Sequence, residues 1–535
     1  MAARGLVKGF KKRAASRFSV TIKTTGGHGG PPLQYVPQFL IKRQEKDYVK
    51  KVSRRTFAKV AGAAAVASTV KLPAFGTAAV QDAQNDALRS FPRGFIWGTA
   101  TASYQVEGAV NEDGRGPSIW DTFSHTPGRT VNNATGDIAN DHYHLYKGDV
   151  QLMKALGVKA YRFSIAWPRV FPNGDGQPNP KGLDFYNRLV DELLANGIQP
   201  FATFYHWDLP QSLQDRFGGW EGRETSKAFA DYAGYVAARL TDRVKHIFTI
   251  NEFGAFIEVG YRWGVHAPGL RLTGLRLNQT RHHAVLGHGL AVQAIRAAAK
   301  PGTKVGLAEN MTVPAPVFET PAHIKAAESA AREMNAMYLT VIKEGKYTDW
   351  YLKSAGADAP KFTPEDLKAI SSPLDFVGIN IYTPQFVRAD ESSPVGFAHV
   401  PHPKSFPHAP SPWLFVGPEA LYWGPRHVAK LWGVKEIYIT ENGCSSSDEP
   451  AQDGRVYDTD RVTFLRSYLT QLRRATAEGV PVRGYFLWSL MDNFEWADGY
   501  TNRFGIHYVD YASQKRTPKL SADFYREVIA RNAVV

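Results

Sequence analysis

Two glutamates stand out among the polar residues of this chain. Glu252 closes the run Thr249-Ile250-Asn251-Glu252, and Glu441 lies inside Ile439-Thr440-Glu441-Asn442-Gly443. Each follows a short apolar, β-branched run. Two facing carboxyls can divide one reaction between them. One protonates a leaving oxygen while the other attacks the anomeric carbon of a glycoside, provided that they stand about 5–5.5 Å apart. Each also raises the pKa of its neighbour, which keeps one of the pair protonated as an acid. The competing reading is two unrelated glutamates that cap helices.

Further polar residues fall at the ends of similar runs. They are Tyr104-Gln105 with Glu107, Tyr161-Arg162-Phe163, Tyr205-His206-Trp207-Asp208, Asn380-Ile381-Tyr382, and Trp488-Ser489 followed by Asn493-Phe494-Glu495-Trp496. Charges in a buried parallel strand are costly unless they are paired or functional. Several of them at matching heights argue for one site.

The elements that must position them alternate. Strands are expected at 95–103, 158–167, 199–207, 246–254, 303–311, 375–383, 436–443 and 482–490. Helical periodicity fills the intervals. Residues 183–194 place Leu183, Tyr186, Leu189, Val190, Leu193 and Leu194 on one face, and 284–298, 326–343 and 462–475 read the same way. Eight strands, each followed by a helix, make the fold class α/β, a (β/α)8 barrel, with function at the C-terminal ends of the strands. An open doubly wound sheet shares the alternation, but the G-x-G-x-x-G and Walker loops that usually accompany it are missing from the sequence.

The chain has 535 residues and a formal charge of +14, which suggests nucleic acid at first sight. Residues 1–90 carry 17 basic and 4 acidic residues, leaving a balance of +1 for 91–535. The basicity therefore belongs to a leader, and nucleic acid is not an expected partner. One cysteine, Cys444, allows no intrachain disulfide and no thiolate cluster. Residues 1–52 read as a basic leader, or as the product of a mis-assigned start. Ser53-Arg54-Arg55-Thr56-Phe57-Ala58-Lys59 and the Ala-rich run after it resemble a twin-arginine export signal over 53–79, with 80–90 as linker and 91–535 as catalytic domain. The apolar run Val60–Val70 is too short to span a membrane. The expected address is periplasmic or secreted, and otherwise cytoplasmic.

Over 91–535 the ordered motifs resemble family 1 of the glycoside hydrolases, the β-glucosidase family. Phe95-Ile96-Trp97-Gly98-Thr99-Ala100 through Tyr104-Gln105 resembles its opening strand, Asn251-Glu252 its Asn-Glu pair and Ile439–Gly443 its nucleophile motif. The resemblance implies that Glu252 is the acid/base and Glu441 the nucleophile. It implies that Arg162 sits beside the nucleophile, that Asn251 holds the 2-hydroxyl, and that Tyr382 bonds Glu441. Gln105, His206, Trp207, Trp488, Glu495, Trp496 and Phe504 would bind the sugar, with Trp488 beneath it and Glu495 and Trp496 at the 4- and 6-hydroxyls. The implied activity is retaining hydrolysis of terminal β-glucosyl residues, and of β-galactosyl or β-fucosyl residues where the pocket admits them. No cofactor is implied. Small β-glycosides or cello-oligosaccharides are the implied partners, which points to cellulose breakdown. Two departures stand out. Phe253 replaces the usual Pro after the acid/base, which opens the question of aglycone preference, and Ile381 replaces the first of two tyrosines.

Other readings compete less well. A carboxylate at Glu495 would repel a 6-phosphate. A thioglucosidase would lack Glu252. A transglycosylase would use the same two glutamates. A non-catalytic sugar-binding barrel could dispense with one glutamate, as with Arg162 and Tyr382. His282, His283 and His288 share a helical stretch without the HExxH spacing of a metal site, so no metal is expected. The Ser445–Ser447 run lacks a G-x-S-x-G elbow, and Cys444 reads as a small buried residue.

Overall fold

The structure, a computed structural model, describes residues 90–535. The expected segments 1–52 and 53–79, and the 80–90 linker up to Ser90, lie outside the described residues.

All eight expected strands form, and they close into a parallel barrel. In chain order they are Ile96–Ala100, Ala160–Ser164, Gln199–Tyr205, His246–Asn251, Lys304–Glu309, Val377–Asn380, Ile437–Asn442 and Val482–Trp488. The first strand pairs with the second on one side and with the eighth on the other, from Ile96↔Gly484 to Ala100↔Trp488. Each expected span overruns its strand by a few residues. The apolar pattern continues into the loops that carry the polar groups.

Aromatic rings fill the interior. Phe201 of the third strand lies 5.0 Å from Phe486, 5.6 Å from Tyr438 and 6.3 Å from Phe248 between ring centres. Arg162 rests on this floor, its guanidinium carbon 5.2 Å above the Phe248 ring. The core thus sets the height at which the first charged side chain stands.

The fourth and seventh strands, which carry the two glutamates, are irregular where those residues begin. The seventh strand shifts register against the sixth between Ile439 and Glu441, and the fourth shifts against the fifth between Phe248 and Asn251. Such shifts re-aim a side chain at a barrel rim.

Helices His142–Leu156, Pro180–Ala195, Arg223–Leu240, Gly274–Ala298, Ala420–Trp432 and Thr459–Ala477 surround the strands. Pro180–Ala195 buries Leu183, Tyr186, Leu189, Val190 and Leu193 as expected, but Leu194 is exposed. It follows Leu193 directly, and a step of one residue turns it about 100° off the buried face. The expected helix at 326–343 is also interrupted. Pro321–Met334 ends at Asn335, and a π-turn at Ala336–Thr340 precedes Val341–Glu344. The Asn335 amide bonds both the N–H and the C=O of Thr312 and the C=O of Ala331, which holds the chain out of helical register.

Two features lie outside the expected pattern. A three-stranded sheet, Val313–Pro316, Pro384–Ala389 and Phe397–Val400, covers one side, and a hairpin, His507–Asp510 with Lys515–Pro518, follows the eighth strand. The C-terminal helix Leu520–Arg531 returns to the first strand, where Tyr525 donates to the Gly98 carbonyl at 2.7 Å. Among the described residues, no helix is long and apolar enough to cross a membrane.

Candidate active site

Arg162 organises the site from the second strand. Its Nη1 donates to Glu441 Oε1 at 2.6 Å, its Nη2 to Asn251 Oδ1 at 2.5 Å and its Nε to the Thr203 hydroxyl at 3.1 Å. One guanidinium therefore ties the third, fourth and seventh strands together. The second carboxylate oxygen of Glu441 accepts from the Tyr382 hydroxyl at 2.8 Å. Glu441 is thus held at both oxygens, and it is almost fully buried.

Glu252 leaves the fourth strand with φ 53°, in the left-handed region, which is unusual for a side-chain-bearing residue and clusters at functional sites. Its Oε1 accepts from the Asn380 amide at 2.6 Å. The same amide donates to Asn251 Oδ1 at 3.0 Å, while Thr440 fixes the Asn380 carbonyl at 2.6 Å. Asn380 therefore bridges Glu252 and the residue before it. It stands at the expected strand end, where the pairing of the sixth and seventh strands, Asn380↔Glu441, sets it beside the other glutamate.

Burial raises the pKa of both glutamates. For Glu252 the charge of Glu441 adds to the rise, and the Asn380 bond opposes it only in part. For Glu441 the Arg162 cation and the Tyr382 hydroxyl work against burial. The pair therefore shares its charge unequally. Arg162 and Tyr382 favour the charged form at Glu441, and the neighbouring charge favours the protonated form at Glu252.

The remaining expected residues border the same space. The Asn251 amide N–H donates to His206 Nε2 at 3.0 Å, so the ring proton of neutral His206 sits on Nδ1. That Nδ1 is buried and has no partner among the described residues. Gln105 donates to Asn493, to the Phe494 carbonyl and to Glu495, at 3.0, 2.8 and 3.3 Å, and its buried Oε1 is likewise unpartnered. A buried donor and a buried acceptor without partners suit the hydroxyls of a bound sugar. Burial pushes the Glu495 carboxyl up to about 8.

The aromatic residues converge too. Trp496 lies 4.4 Å from Trp207 and 6.0 Å from His206, and His206 stacks 5.8 Å from Trp488. Phe504 stands 6.4 Å from Tyr382. Trp488 is seated by the loop that leaves the strand of Glu441. A Cβ at Gly443 would come within 1.7 Å of the Trp488 carbonyl, so only glycine fits there. Trp120, 4.6 Å from Trp496, and the half-exposed Trp413, stacked 6.4 Å from Phe504, extend the aromatic wall. No motif in their sequence surroundings announces either tryptophan. Glu309, at the end of the fifth strand, is another buried carboxyl. It accepts from the Phe253 N–H at 2.8 Å, and burial pushes it up to about 8.

Phe253 does not line the approach to Glu252. Its side chain is fully buried and stacks on Tyr338 at 5.7 Å. The histidines of Gly274–Ala298 are each engaged by protein groups. His282 meets Tyr347 and Asp366, His283 the Glu221 carbonyl, and His288 the Thr249 hydroxyl. Cys444 is buried, which pushes its thiol up to about 12.

Comparison with known proteins agrees with this geometry. The family model described as Glycosyl hydrolase family 1 matches residues 87–534. A 1,4-beta-D-glucan glucohydrolase of Thermotoga neapolitana is 44% identical over 448 residues, 84% of this chain and 100% of that protein. A bifunctional beta-D-glucosidase/beta-D-fucosidase of Bifidobacterium breve is 45% identical over 82% of this chain and 98% of its own length. Among solved structures, the beta-glucosidase from Thermotoga maritima in complex with glucoimidazole superposes with a TM-score of 0.76 at 43% identity. It covers 83% of this chain and 99% of its own.

Proposed function

The chain belongs to glycosyl hydrolase family 1, and on that footing we propose that it is a retaining β-glucosidase. The observation that carries this reading is the unequal environment of its two glutamates. Glu441 is held at both oxygens by Arg162 and Tyr382, whereas Glu252 carries one amide bond. In the first step Glu441 attacks the anomeric carbon, and Glu252 gives its proton to the leaving oxygen. The glycosidic bond breaks and a glycosyl ester forms on Glu441. In the second step Glu252 takes a proton from water, which attacks the same carbon and restores Glu441 as the sugar leaves with its configuration retained.

The sugar lies on Trp488 with Gln105, His206, Glu495 and Trp496 around its hydroxyls. Among the described residues, neither Gln105 nor Glu495 has a Lys or Arg partner, which favours an unphosphorylated sugar. The relatives named for glucoside and fucoside cleavage support glucose as the main substrate, with fucose tolerated. Export by the twin-arginine route, on the motif at 53–59, belongs to the same proposal.

Aryl β-glucoside, β-galactoside and 6-phospho-β-glucoside assayed in parallel test the assignment, with Glu441→Gln as control. The expected result is glucoside cleavage that the control loses by several orders of magnitude. Cleavage of the phosphorylated sugar alone, or an active control, would overturn it.

A further inference from the structure

The turn that carries Glu252 is held by an unusual partner. The family usually places Pro after the acid/base, and Pro has no N–H to satisfy. Phe253 brings an N–H into a fully buried position, where it must find an acceptor. Glu309 supplies it at 2.8 Å. The N–H of Glu252 itself goes to the Ala308 carbonyl at 2.7 Å. Two successive N–H groups, of Glu252 and Phe253, are thus tied to the end of the fifth strand, and the second tie depends on one side chain.

We propose that Glu309 is a positioning residue for the proton donor: its carboxyl clamps the Phe253 N–H and so fixes the left-handed turn that aims Glu252. A residue with a side chain keeps such a backbone only where its surroundings determine it. Beyond its backbone, the only hydrogen bond to the Glu252 carboxyl among the described residues is that of Asn380, so its aim depends on the turn. Either protonation state of Glu309 offers the needed oxygen, and so does a glutamine amide. The proposal rests on Glu252 being the acid/base.

The test exploits leaving groups. A dinitrophenyl β-glucoside departs without a proton, whereas an alkyl β-glucoside needs one. Glu309→Leu is expected to cut kcat/KM for the alkyl substrate by about ten- to a hundred-fold, the scale of a misplaced group, and to leave the dinitrophenyl substrate within about two-fold. Glu309→Gln keeps the acceptor and is expected to restore the alkyl rate to within about three-fold of the parent. Glu309→Asp keeps the carboxyl but withdraws it by one carbon. It is expected to give the Leu pattern at smaller amplitude, and it serves where Leu yields no soluble protein. Equal loss on both substrates, or no loss on either, would overturn the proposal. Glu252→Gln run alongside separates the two ideas. If Glu252→Gln spares the alkyl substrate, the acid/base assignment itself fails. If it does not, while Glu309→Leu and Glu309→Asp do, only the clamp fails.

Discussion

Arg162 and Glu441 form an ion pair of 2.6 Å in which neither side chain meets solvent. Removing one partner of such a pair strands a buried charge. Arg162→Lys keeps the charge but loses the fork that also reaches Asn251 and Thr203. It is expected to lower kcat by about a hundred- to a thousand-fold, the range for loss of a preorganised donor. With the Nη1 hydrogen bond to Glu441 Oε1 lost, Glu441 should also accept a proton more readily, which moves the acidic limb of kcat/KM to higher pH. A rate within three-fold of the parent would contradict this role.

Glu252 is expected to set the alkaline limb. Its carboxyl is raised by burial first and by the charge of Glu441 second. Activity should therefore persist well above the ordinary carboxylate range and fall as Glu252 gives up its proton. Neutralising the neighbour in Glu441→Gln removes one cause, so the pKa of Glu252 should drop. Carbon NMR of labelled glutamate carboxyls in both proteins measures it directly. An unchanged value in Glu441→Gln would show that the two groups do not interact.

Glu495 should rank the sugars. At the proposed place beside the 4-hydroxyl, it would distinguish glucoside from galactoside. Glu495→Ala is expected to lower the glucoside-to-galactoside ratio of kcat/KM by about ten-fold, the size of one hydrogen bond. A constant ratio would remove Glu495 from that contact.

The same residue has a stability signature. Its carboxyl is pushed from 4.5 to about 8 in the folded protein. The folded state then holds this proton more tightly than the unfolded chain does. The resulting stability is complete below about 4.5 and is lost as pH rises through about 8. Glu495→Gln has no proton to lose. Its Tm relative to the parent should therefore increase between pH 5 and pH 9. A difference that does not vary with pH would contradict the raised pKa.

Much of this arrangement was legible in the sequence, for a physical reason. Parallel barrel strands are short apolar runs, and a charge at the end of one is conspicuous, which exposes Arg162, Glu252, Glu441 and Tyr382. What escaped was set by the third dimension. Asn380 gains its meaning only from lying beside Glu441 in the sheet. Trp120 arrives from a short helix, Ile119–Ser124, and Trp413 from a loop, neither long enough to show a periodicity. Phe253 was legible as a departure, but not its direction. It turns into the core, and its backbone, rather than its ring, makes the contact that bears on Glu252. Leu194 fits a helical stripe on paper and faces solvent, because it lies about 100° further round the helix than Leu193, beyond the edge of the buried face. The three-stranded sheet beside the sixth strand interrupts a strand–helix alternation that periodicity reads as simple.

The central claim is that Glu441 becomes covalently bound to the sugar. The most direct test is to incubate the protein with 2,4-dinitrophenyl 2-deoxy-2-fluoro-β-glucoside, whose fluorine slows the second step, and to digest it for mass spectrometry. The expected result is one fluoroglucosyl group per chain, on the peptide that contains Glu441, and none on Glu441→Gln. A label on another residue, or no label together with a product of inverted configuration, would contradict the mechanism.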